Sequence, residues 1–302
     1  MLTCIDSDVL ILTKRGADLS TSLRSSAAAF LLVFGVSSGV SLAQNLKNND
    51  LSVSANHTET SQPISEPQSV PAAHLSSSYE LEEGKINDLY QQVVRIHLQG
   101  DYMAAAEKYR SLVIPMAERT QSDVVRRKFL FLGYRGLGNC YLAMSRFTEA
   151  EETFQRVFEY LPVSGGREDA DYAINFESIA MARMGQQRWE SAEQSLQKAV
   201  SIFDDQIGHA ATSTPDSVQN EHANKLRVSE DMALNLVAVV YFREQRYTEA
   251  LEILDRAYNQ GVTFRAPADI VEQIANDGRA VSTATGDSDA IALWSKRVGT
   301  PN

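Results

Sequence analysis

The residue types best able to do chemistry are few and scattered. Five histidines stand at positions 57, 74, 97, 209 and 222, and two cysteines at 4 and 140. A zinc site needs several His, Cys or carboxylate ligands at short, regular spacing. No two of these histidines fall three or four residues apart, so no metal site is expected. Cys140 sits inside a helical apolar pattern, where a lone thiol behaves as a small core side chain. The chain has neither a Walker loop nor a dinucleotide glycine fingerprint. Gly133, Gly136 and Gly138 imitate a glycine-rich loop, but they fall within a helical stretch. Glu149, Glu151 and Glu152 form an acidic run at a helix start, where carboxylates complement the helix dipole and face water. No cofactor and no enzymatic activity are expected from this set.

The bulk chemistry narrows the partners. Among 302 residues, 43 % are hydrophobic and 22 % charged, ordinary for a globular chain. The formal net charge is −11. Such a chain repels phosphate backbones, which argues against nucleic acid as a partner.

What must position any site is a set of paired helices. In residues 131–162, Tyr134, Leu137, Gly138 and Tyr141 recur three or four apart, on one helical face. Phe147, Ala150, Phe154 and Val157 do the same in the second half, and Pro162 closes the unit. Gly138 and Ala150 are small where two antiparallel helices would touch. The pattern of an aromatic, two residues, alanine, three residues and a large apolar side chain recurs. It reads Tyr102, Ala105 and Tyr109; then Phe147, Ala150 and Phe154; then Trp189, Ala192 and Leu196; then Tyr247, Ala250 and Leu254. The aligned alanines are separated by 45, 42 and 58 residues. The last step contains an insert, 204–217, whose polar composition with Gly208 and Pro215 suggests an exposed loop, with Thr214 and Pro215 opening the next helix.

These residues resemble the tetratricopeptide repeat (TPR), whose signature runs W-x2-L-G-x2-Y, A-x3-F and P, here with Tyr134 in place of the Trp. The steps of 45 and 42 exceed the usual ~34 residues and resemble the long TPR type of kinesin light chains. The resemblance implies an all-α, right-handed α-solenoid. About four hairpins would span residues 77–262, with Ser77 and Glu80 forming a capping box at the start. A capping hairpin would span 263–302, with helices at 266–281 and 287–298. Its polar outer face would carry Glu272, Asn276, Asp277, Lys296 and Arg297.

The resemblance also implies a site. In TPR arrays the first helix of each hairpin lines a concave groove that holds a protein or peptide partner. Carried over, that groove here takes Asn87, Tyr90 and His97 from the first hairpin, and Arg135 and Asn139 from the second. The third contributes Glu177, Met181 and Met184, and the fourth Asn235 and Phe242. Arg135 and Asn139 match part of the carboxylate clamp of chaperone-binding TPRs. Ser178 and Ile174 replace the clamp's other Asn and Lys.

Upstream, Lys14, Arg15 and Arg24 precede an uncharged stretch, 25–44, ending in Ser41-Leu42-Ala43. This is the layout of a secretory signal peptide, 1–43, cut after Ala43. It would place the repeats in a periplasm, an organelle lumen or outside the cell. Left uncut, residues 25–44 would instead associate with a membrane and make the chain an anchored assembly factor acting through its convex face or by self-association. Residues 44–76 are rich in Ser, Asn and Gln and too poor in apolar residues to offset ordering entropy, so a disordered tether is expected.

Overall fold

The computed structural model describes residues 73–161, 169–213 and 217–298. The expected signal peptide, residues 44–72 of the tether, Pro162 and the Thr214–Pro215 helix opening lie outside the described residues. Everything described is helix or short turn, with no strand among the described residues. Ten helices follow one another: α1 (Ala73–Leu98), α2 (102–119), α3 (Asp123–Ala143), α4 (Phe147–Val157), α5 (Ala170–Gly185), α6 (Trp189–Ser213), α7 (Ser217–Arg243), α8 (Tyr247–Thr263), α9 (Ala268–Thr285) and α10 (Ser288–Val298). Each packs chiefly against its neighbours in the chain, which makes five hairpins in an all-α solenoid. Odd-numbered helices are the A helices and even-numbered ones the B helices.

The four aligned alanines carry the packing. Ala105, Ala150, Ala192 and Ala250 are each fully buried. So are Phe154, Leu196 and Leu254 four residues later, while Tyr109 is nearly so. The glycines of α3 now have separate reasons. A Cβ on Gly138 would lie 2.6 Å from the Phe154 ring, and one on Gly136 would lie 2.4 Å from the Tyr109 ring. A Cβ on Gly133 would meet Ile114 at 3.0 Å. Gly138 serves its own hairpin; Gly133 and Gly136 admit α2 of the preceding one. Within α2 the segment Tyr109–Val113 is a π-turn, closed by the Ile114 N–H donating to the Tyr109 carbonyl. Pro115 follows, and it has no N–H to give to a regular ladder; the wider turn absorbs that loss.

One turn ends the A helix in three of the hairpins. Ser145, Gln187 and Gln245 have φ of 58°, 60° and 62°, the left-handed region, without being glycine. Each is followed by an arginine whose N–H reaches back to the A helix: Arg146 to the Tyr141 carbonyl, Arg188 to Arg183 and Arg246 to Tyr241. The first hairpin places Gly100 in the same region, at φ 84°.

Three expectations are corrected. The helix begins at Ala73, so Ser77 lies within α1 rather than capping it. The insert is helix rather than loop, with Asp204, Asp205, Gly208 and His209 exposed as expected: α6 runs to Ser213 and α7 starts at Ser217. Ile202 and Phe203 pack on Leu226 in one core, with Ile207 beside them. That apolar stripe lengthens both helices. In the last hairpin, Asp277 and Arg297 do not form a polar outer face. They turn back to the array, Asp277 to Asn235 and Arg297 to Asp255. Trp294 is buried over Gly278, where a Cβ would lie 2.3 Å from the indole.

Candidate functional site

Fifteen residues before each aligned alanine stands a polar side chain: Tyr90, Arg135, Glu177 and Asn235. All four are buried. They occupy one equivalent position on α1, α3, α5 and α7, so they form a row along the A-helix layer. Arg135 Nη1 donates to Asp171 Oδ1 on the next A helix at 3.0 Å, and its guanidinium lies over the Phe131 ring. Asn235 Nδ2 donates to Asp277 Oδ2 on α9, also at 3.0 Å. Burial raises the Tyr90 phenol, and Arg135 offsets part of that rise. Tyr90 packs its ring against Tyr109 and Phe129, so it belongs to the core more than to any surface.

Glu177 is the rung without a counter-charge. Only 9 % of its surface is open, and its Oε1 is buried without a hydrogen-bond partner. Burial raises its carboxyl well above the ordinary range. Asn235 likewise leaves Oδ1 buried and unmet, with 6 % of the residue exposed. Burial lifts Asp277 to about 7, against the favourable bond from Asn235.

The other expected groove residues are placed less uniformly. Asn87 is exposed; Asn139, Met181 and Phe242 are half-buried; Met184 is buried. The Phe242 ring lies 5.6 Å from that of Tyr247. His97 is half-buried with Nδ1 3.2 Å from Cys140 Sγ, edge-on to Tyr102. Burial holds His97 below its usual value and pushes the Cys140 thiol up to about 12. A thiol so held stays protonated at neutral pH and is a poor nucleophile. Among the described residues no group of three or more His, Cys, Asp or Glu is placed to hold a metal.

Sequence reasoning missed two groups. Glu151, read as a solvated helix-start acid, is buried. It accepts from Arg183 Nε and Arg188 Nη1, both at 2.7 Å, and from Gln186 Nε2 at 2.9 Å. It ties the second hairpin to the third. The repeat offset could have exposed it, because Glu193 takes the equivalent position and accepts from Arg246 of the following hairpin at 3.0 Å. The second group is Asp231 on α7, with 1 % exposed and both carboxylate oxygens buried and unpartnered. Burial, with Glu230 beside it, raises its carboxyl to about 8. Arg256, which could neutralise it, is bonded to Glu230 and Asp204.

This is the geometry of a helical-repeat solenoid with a mixed polar row on its first helices. Residues 130–205 match the tetratricopeptide repeat family model. That stretch, the second and third hairpins, is the part of the chain that carries the tetratricopeptide repeat. Among solved structures it is similar to the nearly identical TPR-like repeats of a kinesin-light-chain-like protein from Podosopora anserina. That match has 16 % identity and a TM-score of 0.50, covering 72 % of this chain and 94 % of that one. It is also similar to BtubC (BKLC) from P. vanneervenii, with 17 % identity, a TM-score of 0.52, and 73 % and 89 % covered. At such identity the likeness speaks to the fold. A comparison with curated proteins finds no match. A tetratricopeptide fold suggests a protein–protein interaction scaffold. No helix among the described residues is long and apolar enough to cross a membrane.

Proposed function

We propose that the chain is a non-enzymatic scaffold, exported by its N-terminal segment, that holds a partner peptide or helix along its A-helix face. The observation that carries this reading is the row of polar side chains at one repeat position, including acceptors left unmet inside the fold. Buried polar groups normally find partners, and an unpaired one lowers stability. A groove that completes them on binding gives that arrangement a use. The half-buried Asn139 and Met181, each four residues beyond a row member, supply adaptable contact surface beside it. Export rests on the basic start and uncharged stretch at 25–44.

The test is a crosslinking pull-down with the full chain, repeated with Asn139→Arg and Met181→Arg. Partners that bind in the groove are lost from both variants. Partners retained by both would place binding elsewhere. A second reading, association through another face, is favoured by apolar side chains on the first hairpin. Met103, Leu112 and Met116 are exposed there. Concentration-dependent mass in light scattering, abolished by Met103→Lys with Met116→Lys, would support it.

A further inference from the structure

We infer that the groove recognises a cationic side chain, a lysine or arginine of the partner peptide, seated against Glu177 and Asn235. This rests on the groove reading above and names the partner's chemistry.

The argument starts from which atoms are unmet. On α5 and α7 five buried carboxyl and amide oxygens have no partner: Asn175 Oδ1, Glu177 Oε1, both oxygens of Asp231 and Asn235 Oδ1. Every one of those five is an acceptor. A peptide supplying only carbonyls or carboxylates would leave them unmet; a donor satisfies them.

Position selects among them. Glu177 and Asn235 share one repeat position on consecutive A helices, α5 and α7, which touch each other. The Asn235 bond to Asp277 fixes the direction of the row, because it runs from one A helix to the next rather than down to a B helix. Asp231 is more deeply enclosed than either, at 1 % exposure, and is not placed in the contact.

Charge decides the class of donor. The other charged row member, Arg135, is neutralised by Asp171. Beyond it the row runs Glu177, Asn235, Asp277: two carboxyls flanking an amide. Arg183 on α5 is committed to Glu151, Ser191 and Ser195. Arg243, on the last turn of α7, lies over the Trp189 ring. A guanidinium or ammonium held between Glu177 and Asn235 would favour release of the proton that burial keeps on Glu177, and would gain a charge-assisted bond from the resulting carboxylate and a neutral one from Asn235. The net charge of −11 would draw a basic segment toward the array.

The test is selection from a random 12-residue peptide library on the full chain, followed by binding titration of the enriched peptides. The expected result is enrichment with Lys or Arg at one fixed position. Replacing that residue by norleucine should weaken binding at least tenfold. Glu177→Gln should erase the difference between the two peptides while circular dichroism shows an unchanged fold. Should Glu177→Gln fail to fold, Asn235→Leu provides the second arm, with a smaller expected loss of about threefold. Enriched peptides that lose binding to Met181→Arg yet carry no fixed cation would overturn this inference and leave the groove reading standing. Peptides unaffected by Met181→Arg, or no enrichment at all, would overturn both.

Discussion

Asp231 offers the sharpest test of the packing. Its carboxyl is raised from 3.8 to about 8, first by burial and then by the Glu230 charge, with Arg256 opposing. The unfolded chain releases that proton near pH 4, whereas the fold retains it to near pH 8. Folding therefore takes up a proton between those values, and stability falls as pH rises through that window. Each unit is ~1.4 kcal/mol, so the full interval amounts to roughly 5–6 kcal/mol at the upper end. Relaxation and water entry reduce such penalties, and about 2–4 kcal/mol is the expected share above pH 8. Asp231→Asn keeps the shape, which matters because a Cβ on Gly261 would lie 3.5 Å from Asp231 Oδ2. An amide there is as poorly hydrogen-bonded as the protonated acid but cannot ionise. Urea denaturation at pH 5, 6.5 and 8 should show the variant stabilised by ~2–4 kcal/mol at pH 8, with less than ~1 kcal/mol left at pH 5. A gain equal at all three pH values, or a loss at pH 8, would refute the account of a buried acid without a partner.

Three further outcomes follow from the repeat geometry. Gly138→Ala should lower stability by ~1–3 kcal/mol in a thermal melt, because the new methyl meets the Phe154 ring inside a filled core. Glu151→Ala should cost about 1–3 kcal/mol, since Arg183, Arg188 and Gln186 lose their common acceptor. Burial alone would raise the Glu151 carboxyl, but the bonds from Arg183 and Gln186 outweigh it and hold it low. The strap is therefore present above the ordinary carboxylate range and lost as pH falls below it, so the variant's deficit should vanish in acid melts. Gln187→Gly should stabilise by about 0.5–1 kcal/mol, read by denaturant midpoint, because it removes a side chain from a left-handed turn position.

The fold was legible because its determinants are local and repeated. An alanine with an aromatic three residues before it and a large apolar residue four after it marks a helix contact, and four in phase mark an array. The insert misled because composition was weighed without periodicity. Phe203 and Ile207 are spaced by four, and that stripe kept α6 helical through polar neighbours. The capping-box reading of Ser77 failed for a related reason. A start signal marks where a helix could begin, and α1 extends upstream of it. Gly133 and Gly136 were unreadable from one hairpin, since their reason lies in the preceding one.

The polar row was legible in position but not in state. The repeat offset locates Tyr90, Arg135, Glu177 and Asn235 without coordinates. Which of them is satisfied depends on residues that no repeat offset predicts: Asp171 at the first turn of α5, and Asp277 in a hairpin that departs from the pattern. A repeat makes backbone geometry equal at every rung and leaves each side chain free to differ. The packing positions converge on alanine and large apolar groups because the same gap must be filled each time. The row does not converge: it holds a phenol, a guanidinium, a carboxyl and an amide under matching burial. Packing alone would have favoured an apolar residue at all four, since each buried polar group lowers stability unless it is paired. Two of them reach a partner on the next A helix, and Tyr90 has Arg135 nearby. Glu177 has none of these, which makes it the least favourable side chain of the row.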